Sequence, residues 1–115
     1  MNKEILENIN DLFDSYDLFG SNTVKIRDRI KTRFPDITEE TIKETELYIK
    51  KEFGTYCVKY ADIIAEKYKT PFLPKSDEAQ QEIGEYVKEC KKKYPYFDEK
   101  KNIEIFSAVC WLANR

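Results

Sequence analysis

The segment from Thr38 to Lys69 constrains the fold more strongly than the rest of the chain. Its apolar residues recur at the three-, four- and seven-residue spacings that place side chains on one side of an α-helix. These residues are Ile42, Ile49, Phe53, Cys57, Tyr60, Ile64 and Tyr68. The pattern predicts one helix over residues 38–69, about nine turns long. Its second half is apolar on most sides, which predicts burial by neighbours on more than one face.

Gly54 lies near the middle of this predicted helix. A glycine in a helix interior costs about 1 kcal/mol relative to alanine, so its presence needs a reason. The reason we favour is close packing of a neighbouring helix or a gentle bend. A functional hinge, or a break into two helices at Gly54, is the alternative.

Four shorter helices surround the central one in the predicted fold. Gly20 and Pro35 end the first two, whereas Ser21 or Asn22, Thr38, Ser76 and Asp98 are suitable N-caps. The shorter helices are predicted over residues 2–16, 23–34, 77–94 and 99–113.

The apolar spacing of these helices predicts the inward-facing residues. In helix 2–16 these are Ile5, Leu6, Ile9, Leu12, Phe13 and Tyr16, and in helix 23–34 they are Ile26, Ile30 and Phe34. In helix 77–94 they are Ala79, Ile83, Tyr86, Val87, Cys90 and Tyr94. In helix 99–113 they are Ile103, Phe106, Val109, Cys110 and Ala113, and this face is broadened by Ile105, Trp111 and Leu112. No stretch alternates strictly enough to predict a strand. The sequence therefore predicts an all-α, single-domain bundle over residues 1–115, with about five helices around the central helix 38–69.

The composition argues against catalysis and against a bound cofactor. The 115 residues include no histidine, which removes the commonest general base and the commonest metal ligand. The three glycines lie far apart, so a glycine-rich loop around a phosphate is not expected. We therefore expect no catalytic, cofactor-binding or metal-binding residue. An enzyme that uses carboxylates and tyrosines is the remaining catalytic alternative.

The cysteines and the hydropathy predict a cytoplasmic protein. Cys57, Cys90 and Cys110 are an odd, widely spaced set without a C-x-x-C motif, and each lies on an apolar face of a predicted helix. They are expected to be reduced, buried and unreactive. The acidic N-terminus lacks the apolar block of a signal peptide, and no apolar run is long enough to span a membrane. We expect a monomer or a weak homodimer.

Helix 23–34 carries the strongest local charge in the sequence. Its basic residues outnumber its one acid, Asp28, and they are Lys25, Arg27, Arg29, Lys31 and Arg33. Lys25, Arg29 and Arg33 are four residues apart and share a face. These charges either balance the acidic residues of helix 2–16 or contact a partner with an acidic surface. Binding of a phosphate backbone is a further option, although the whole chain carries a net charge of only −2.

A helix-turn-helix would place the start of the central helix in a DNA groove. The first turns of that helix contain Glu39, Glu40, Glu44 and Glu46 against Lys43. Phosphates repel an acidic recognition helix, so conventional major-groove recognition is not expected.

Aromatic residues cluster at the ends of the predicted helices. They make up 14% of the chain, and most fall on core-facing positions. One cluster precedes Gly20 and contains Tyr16, Leu18 and Phe19. A second surrounds Pro95 and contains Tyr94, Tyr96 and Phe97, and a third, Phe72 and Leu73, lies between two prolines. These clusters either close the ends of the bundle or form a protein interface, where aromatic residues and arginine dominate the binding energy.

The sequence thus favours a small cytosolic protein-interaction module, such as an inhibitor, an immunity protein, an adaptor or a regulatory subunit. The alternative is a nucleic-acid-binding or phage-type regulatory protein that uses the basic helix 23–34. The candidate partner-binding residues are Lys25, Arg29, Arg33, Phe72, Leu73, Tyr96 and Phe97.

Overall fold

Residues 39–68 form one continuous helical rod in the computed structural model, which describes residues 1–20 and 24–115. The rod consists of α3 (Glu39–Leu47), a π-helical segment (Tyr48–Gly54) and α4 (Thr55–Tyr68). The residues at both junctions keep right-handed helical backbone angles. The predicted central helix is confirmed, and the rod does not break at Gly54.

The π-helical segment keeps the buried residues of the rod on one side. Besides Ile42, Gly54 and Ile64, six almost completely buried residues form a row in which each follows the previous one by four residues: Thr45, Ile49, Phe53, Cys57, Ala61 and Ala65. In a pure α-helix a four-residue step overshoots a full turn by about 40°, so this row would wind around the helix. A π-helix has more residues per turn, so the same step falls short of a full turn and rotates the row back. The π segment therefore lets a single face of a long rod meet the core.

Gly54 permits a close approach of the N-terminal segment to the rod. A Cβ atom at this position would lie 2.8 Å from the carbonyl oxygen of Ile49 and 3.0 Å from Cδ2 of Leu18. The first of these atoms belongs to the backbone of the π segment and cannot turn away. Close packing, the favoured explanation of Gly54, is confirmed.

The remaining long helices are α2 (Ile26–Arg33), α5 (Asp77–Lys93) and α6 (Glu99–Asn114). The second half of the rod packs mainly on α6 and also contacts α5, whereas α2 packs on α3. Thr38, Ser76 and Asp98 cap their helices as predicted, each accepting a bond from a first-turn N–H. The predicted caps Ser21 and Asn22 lie outside the described residues. Because the described residues contain helices and no strand, the all-α bundle is confirmed.

The prediction of one helix over residues 2–16 is wrong. The segment contains α1 (Lys3–Glu7), a 3₁₀ turn (Ile9–Asp11) and a second 3₁₀ turn (Ser15–Phe19) that ends at the left-handed Gly20. Short polar side chains compete with helical hydrogen bonds here. The Asp14 carboxylate accepts a bond from the N–H of Tyr16 and so starts the second turn. The apolar spacing of residues 5–13 was correct, because Ile5, Ile9, Leu12 and Phe13 are all buried.

The inward face of α6 also differs from the predicted one. Ile103 is half-exposed and Ala113 is exposed, although both were expected in the core. Two polar residues, Lys101 and Asn102, are buried instead. The Lys101 ammonium donates to the carbonyl oxygen of Phe13 at 2.7 Å. The Asn102 amide donates to the carbonyl oxygen of Asp98 at 2.8 Å, so both polar groups are satisfied.

An aromatic cluster joins the rod, the α5–α6 turn and the N-terminal segment. The rings of Phe53 and Phe97 are stacked with centroids 3.7 Å apart. Phe13 meets both rings edge-on, and Tyr94 meets Phe53 edge-on at 5.9 Å. Stacked and edge-on pairs add to the stabilisation that burial of these large rings already provides. Cys57, Cys90 and Cys110 are free thiols and buried, as predicted.

The contrast between two glycines tests the packing of the rod. Gly54→Ala should lower the free energy of unfolding by about 1–3 kcal/mol, because its Cβ would overlap backbone and Leu18. Gly84→Ala on α5 is the matched control, since nothing lies within 4 Å of its added Cβ. That variant should gain about 0.5–1 kcal/mol from helix propensity. Urea denaturation of the three proteins measures both effects. Stabilisation by both substitutions would contradict the close approach of Leu18 to the rod.

Candidate protein-binding groove

The basic face of α2 is largely engaged within the protein. Arg29 donates to the two carboxylate oxygens of Asp17 at 2.6 and 2.9 Å. It also donates to the carbonyl oxygens of Leu12 at 3.1 Å and Val24 at 2.7 Å. These four bonds use both N–H groups of both terminal nitrogens. Arg29 therefore holds the N-terminal segment in place, and the expectation that it contacts a partner is corrected.

Burial of the Asp17 carboxylate makes this contact important. Its side chain is only 3% exposed, so the charge depends on Arg29 for compensation. The hydrogen bond to Asp17 is the main reason why the pKa of Arg29 is raised above its ordinary value.

The other basic residues of α2 are closer to solvent. Arg27 forms an ion pair with Glu39 at the start of α3. Arg33 is exposed but donates to the Oδ1 atom of Asn8 at 2.8 Å. Lys25 is exposed at the N-cap position of α2. The predicted face of Lys25, Arg29 and Arg33 therefore does not form a set of free cations.

The two aromatic residues after Pro95 have different environments. Phe97 is completely buried in the aromatic cluster and stacks on Phe53. Its assignment as a partner-binding residue is therefore corrected. Tyr96 is exposed, and its carbonyl oxygen accepts a bond from the Asn10 side chain.

The proline-flanked loop presents an aromatic side chain to solvent. Phe72 is 69% exposed, whereas Leu73 is half-buried and packs against the core. The Asn114 amide donates to the carbonyl oxygens of Ala65 at 3.0 Å and Thr70 at 3.3 Å, which ties the loop to the end of α6. The Phe72 ring consequently lies 6.3 Å from the ring of Trp111, measured between centroids.

An open groove runs along the outer face of α6 beside Trp111. We call this surface, together with the adjoining Phe72, the aromatic groove. Its volume is about 700 Å³. Trp111 and Tyr16, 46% and 52% exposed, border it together with half-exposed Ile103. The rest of its lining is formed by Ser15, Glu99, Lys100, Glu104, Ser107 and Ala108. Small side chains at the centre and aromatic rings at the edge leave room for an apolar side chain from another molecule.

The sequence pattern alone did not identify this groove. Apolar residues occur on most sides of α6, and both Ile103 and Trp111 were expected to face or border the core. The outer face emerges only once buried Lys101 and Asn102 fix the rotation of the helix. Tyr16 belonged to the aromatic cluster before Gly20 but not to the candidate partner-binding residues, because the predicted helix 2–16 placed it on the inner face with Leu12 and Phe13.

Two features are absent from residues 1–20 and 24–115. There, His, Cys, Asp and Glu side chains form no group of three or more that could hold a metal ion. Over the same residues, no helix has both the length and the apolar character that crossing a bilayer requires. Comparisons with protein-family models, with curated proteins and with solved structures found no match.

A pair of arginine variants tests whether Arg29 has a structural role. Arg29→Ala removes the two bonds from the guanidinium to the buried Asp17 carboxylate and should cost about 2–4 kcal/mol of unfolding free energy. Arg27→Ala removes an exposed ion pair and should leave the urea midpoint close to that of the wild type. Equal midpoints for both variants would contradict the structural role of Arg29.

Proposed function

We propose that the protein acts by binding another protein through the aromatic groove, without catalysing a reaction. It would serve as an inhibitor, an immunity protein, an adaptor or a regulatory subunit. The observation that carries this proposal is the exposure of Tyr16 and Trp111 in the lining of one groove, with exposed Phe72 next to Trp111. Leaving such large rings in water forgoes the stabilisation that their burial would provide. A partner that covers them would recover this free energy.

The composition of the groove favours a protein as its ligand. Trp, Tyr and Phe are enriched at the centres of protein interfaces and contribute most of the binding energy there. The groove follows α6 with Ser107 and Ala108 at its centre, so a second helix could approach closely. An amphipathic helix of the partner, with its apolar face on Trp111 and Ile103, fits this shape. Lys100, Glu99 and Glu104 supply charges of both signs at one end.

The proposed location is the cytoplasm. Three free buried thiols support it, since reduced cysteines are typical of that compartment. The basic residues of helix 23–34 suggested a partner with an acidic surface. The structure supports that proposal less strongly, because Arg27 and Arg29 form ion pairs within the protein.

The nucleic-acid alternative depends on the cations that α2 leaves exposed, chiefly Lys25 and Lys31. If these residues bind a phosphate backbone, affinity for a DNA or RNA duplex should fall steeply as salt rises. Reversing the charge of both should then abolish binding at low salt. Absence of binding by the wild-type protein at low salt would remove this alternative.

Trp111 is the only tryptophan in the chain, so its fluorescence reports directly on the groove. Partners captured with the tagged protein from its source cells would be purified and titrated against it. Binding in the groove should shift the emission of Trp111 to shorter wavelength and protect it from acrylamide quenching. Unchanged emission on formation of a stoichiometric complex would exclude the groove as the interface.

Alanine variants of exposed aromatic residues separate the groove from the remaining surface. Phe72→Ala and Trp111→Ala should each weaken partner binding at least tenfold, which corresponds to about 1.4 kcal/mol. Tyr96→Ala is the matched control: the sequence made exposed Tyr96 a candidate contact, but Tyr96 does not line the groove, so binding confined to the groove leaves this variant at full affinity. Full affinity of both groove variants, or a comparable loss for Tyr96→Ala, would overturn the proposal.

A further inference from the structure

A second cleft, on the other side of the 3₁₀ turn Ser15–Phe19, is lined by lysines. Its volume is about 630 Å³. One wall comes from the rod and contains Lys50, Lys51, Thr55 and Lys59. The opposite wall is the chain from Asp17 to Gly20, and Gly54 lies between the walls. We call this site the lysine cleft.

The π-helical segment brings two consecutive lysines to the same cleft. Lys50 and Lys51 both lie in the π segment and both line the cleft. Insertions of this kind in helices are frequent at functional sites. Here the π segment carries two of the cleft's lysines in addition to aligning the buried row of the rod.

The lysines of the cleft are not neutralised by neighbouring acids. None of Lys50, Lys51 and Lys59 forms an ion pair with the residues that the structure describes. The Asp17 carboxylate is already held by Arg29. Asp62 is the other acid among the described lining residues, so three lysines face one carboxylate that Arg29 does not already hold. Positive charge therefore predominates in the cleft, which favours an anionic ligand.

The cleft also has an apolar side. Leu18, Phe19 and Val58 line it and are half-buried. An aromatic ring at the edge of a cationic cleft is suited to stacking on a nucleobase, which has a flat π-face. Lysine ammonium groups bind phosphate oxygens as point charges. A ligand with both a phosphate chain and a planar ring matches the two sides of the cleft.

We propose that the lysine cleft binds a nucleoside polyphosphate. The phosphates lie between Lys50 and Lys51, Lys59 contributes charge at the far end, and the base packs against Phe19. This site is separate from the aromatic groove, so binding here can regulate the protein without occupying the partner surface.

Calorimetric titration with ATP at low salt tests this assignment. ATP should bind with a dissociation constant on the order of 1 mM or lower. The double variant Lys50→Ala/Lys51→Ala should raise the dissociation constant for ATP at least tenfold. The matched control is Lys91→Ala/Lys92→Ala, which removes two exposed lysines of α5 and should change affinity less than twofold. Circular dichroism melts verify that both variants remain folded, which is expected because all four side chains are exposed.

Adenosine, inorganic tripolyphosphate and the variant Phe19→Leu show whether the cleft binds the base as well as the phosphates. Adenosine should bind much more weakly than ATP, because it lacks the charged chain. Phe19→Leu should weaken the binding of ATP several-fold but leave the binding of inorganic tripolyphosphate unchanged.

Equal binding of ATP and tripolyphosphate, with no effect of Phe19→Leu, would overturn the nucleoside part of the proposal. Tighter binding of a single-stranded oligonucleotide than of ATP would overturn the assignment to a small ligand. No heat with ATP, or an equal loss in the control variant, would overturn the site itself.

Discussion

Burial of one row of side chains along a thirty-residue rod is the constraint on which the rest of the structure depends. The row from Thr45 to Ala65 advances by four residues at each step, a spacing that a pure α-helix cannot keep on one face. The π-helical segment corrects the rotation at the middle of the rod. Phe53, at that point, can then stack on Phe97, so the α5–α6 turn docks where the helix changes type. The same segment carries Lys50 and Lys51, so the part of the rod that aligns the buried row also contributes two charges to the lysine cleft.

The N-terminal segment is held by polar contacts in place of a long helix. The Asn10 side chain bonds to the carbonyl oxygen of Tyr96 and to the N–H of Asp98, and Lys101 bonds to the carbonyl oxygen of Phe13. These contacts position the 3₁₀ turn Ser15–Phe19, which contributes a wall to two surfaces. Ser15 and Tyr16 border the aromatic groove, whereas Leu18 and Phe19 border the lysine cleft. Because Arg29 holds Asp17 in the middle of this turn, one buried ion pair supports both candidate sites.

The parts of the fold that the sequence predicted correctly are those determined by local signals. The caps Thr38, Ser76 and Asp98 and the apolar face of α5 were identified from neighbouring residues alone. The errors arose where a distant residue decides the outcome. The first helix is broken because its asparagines and aspartates bond elsewhere, and Phe97 is buried because Phe53 lies opposite it. Spacing indicated that Arg29 was on a charged face, but its partner Asp17 is twelve residues away. Of the candidate site, Phe72 was predicted, whereas Trp111 required the rotation of α6 to be known and Tyr16 required the break in the predicted helix 2–16.

The central claim is that residues 39–68 are a single rigid element that passes through a π-helical turn without a hinge. Native-state amide hydrogen exchange, resolved by residue, tests this claim most directly. If the account is correct, the amides of Ile49 and Phe53 exchange as slowly as those of Cys57 and Ala61, through one common opening of the core. Fast exchange confined to residues 48–54, between slowly exchanging α3 and α4, would show two hinged helices and contradict the account.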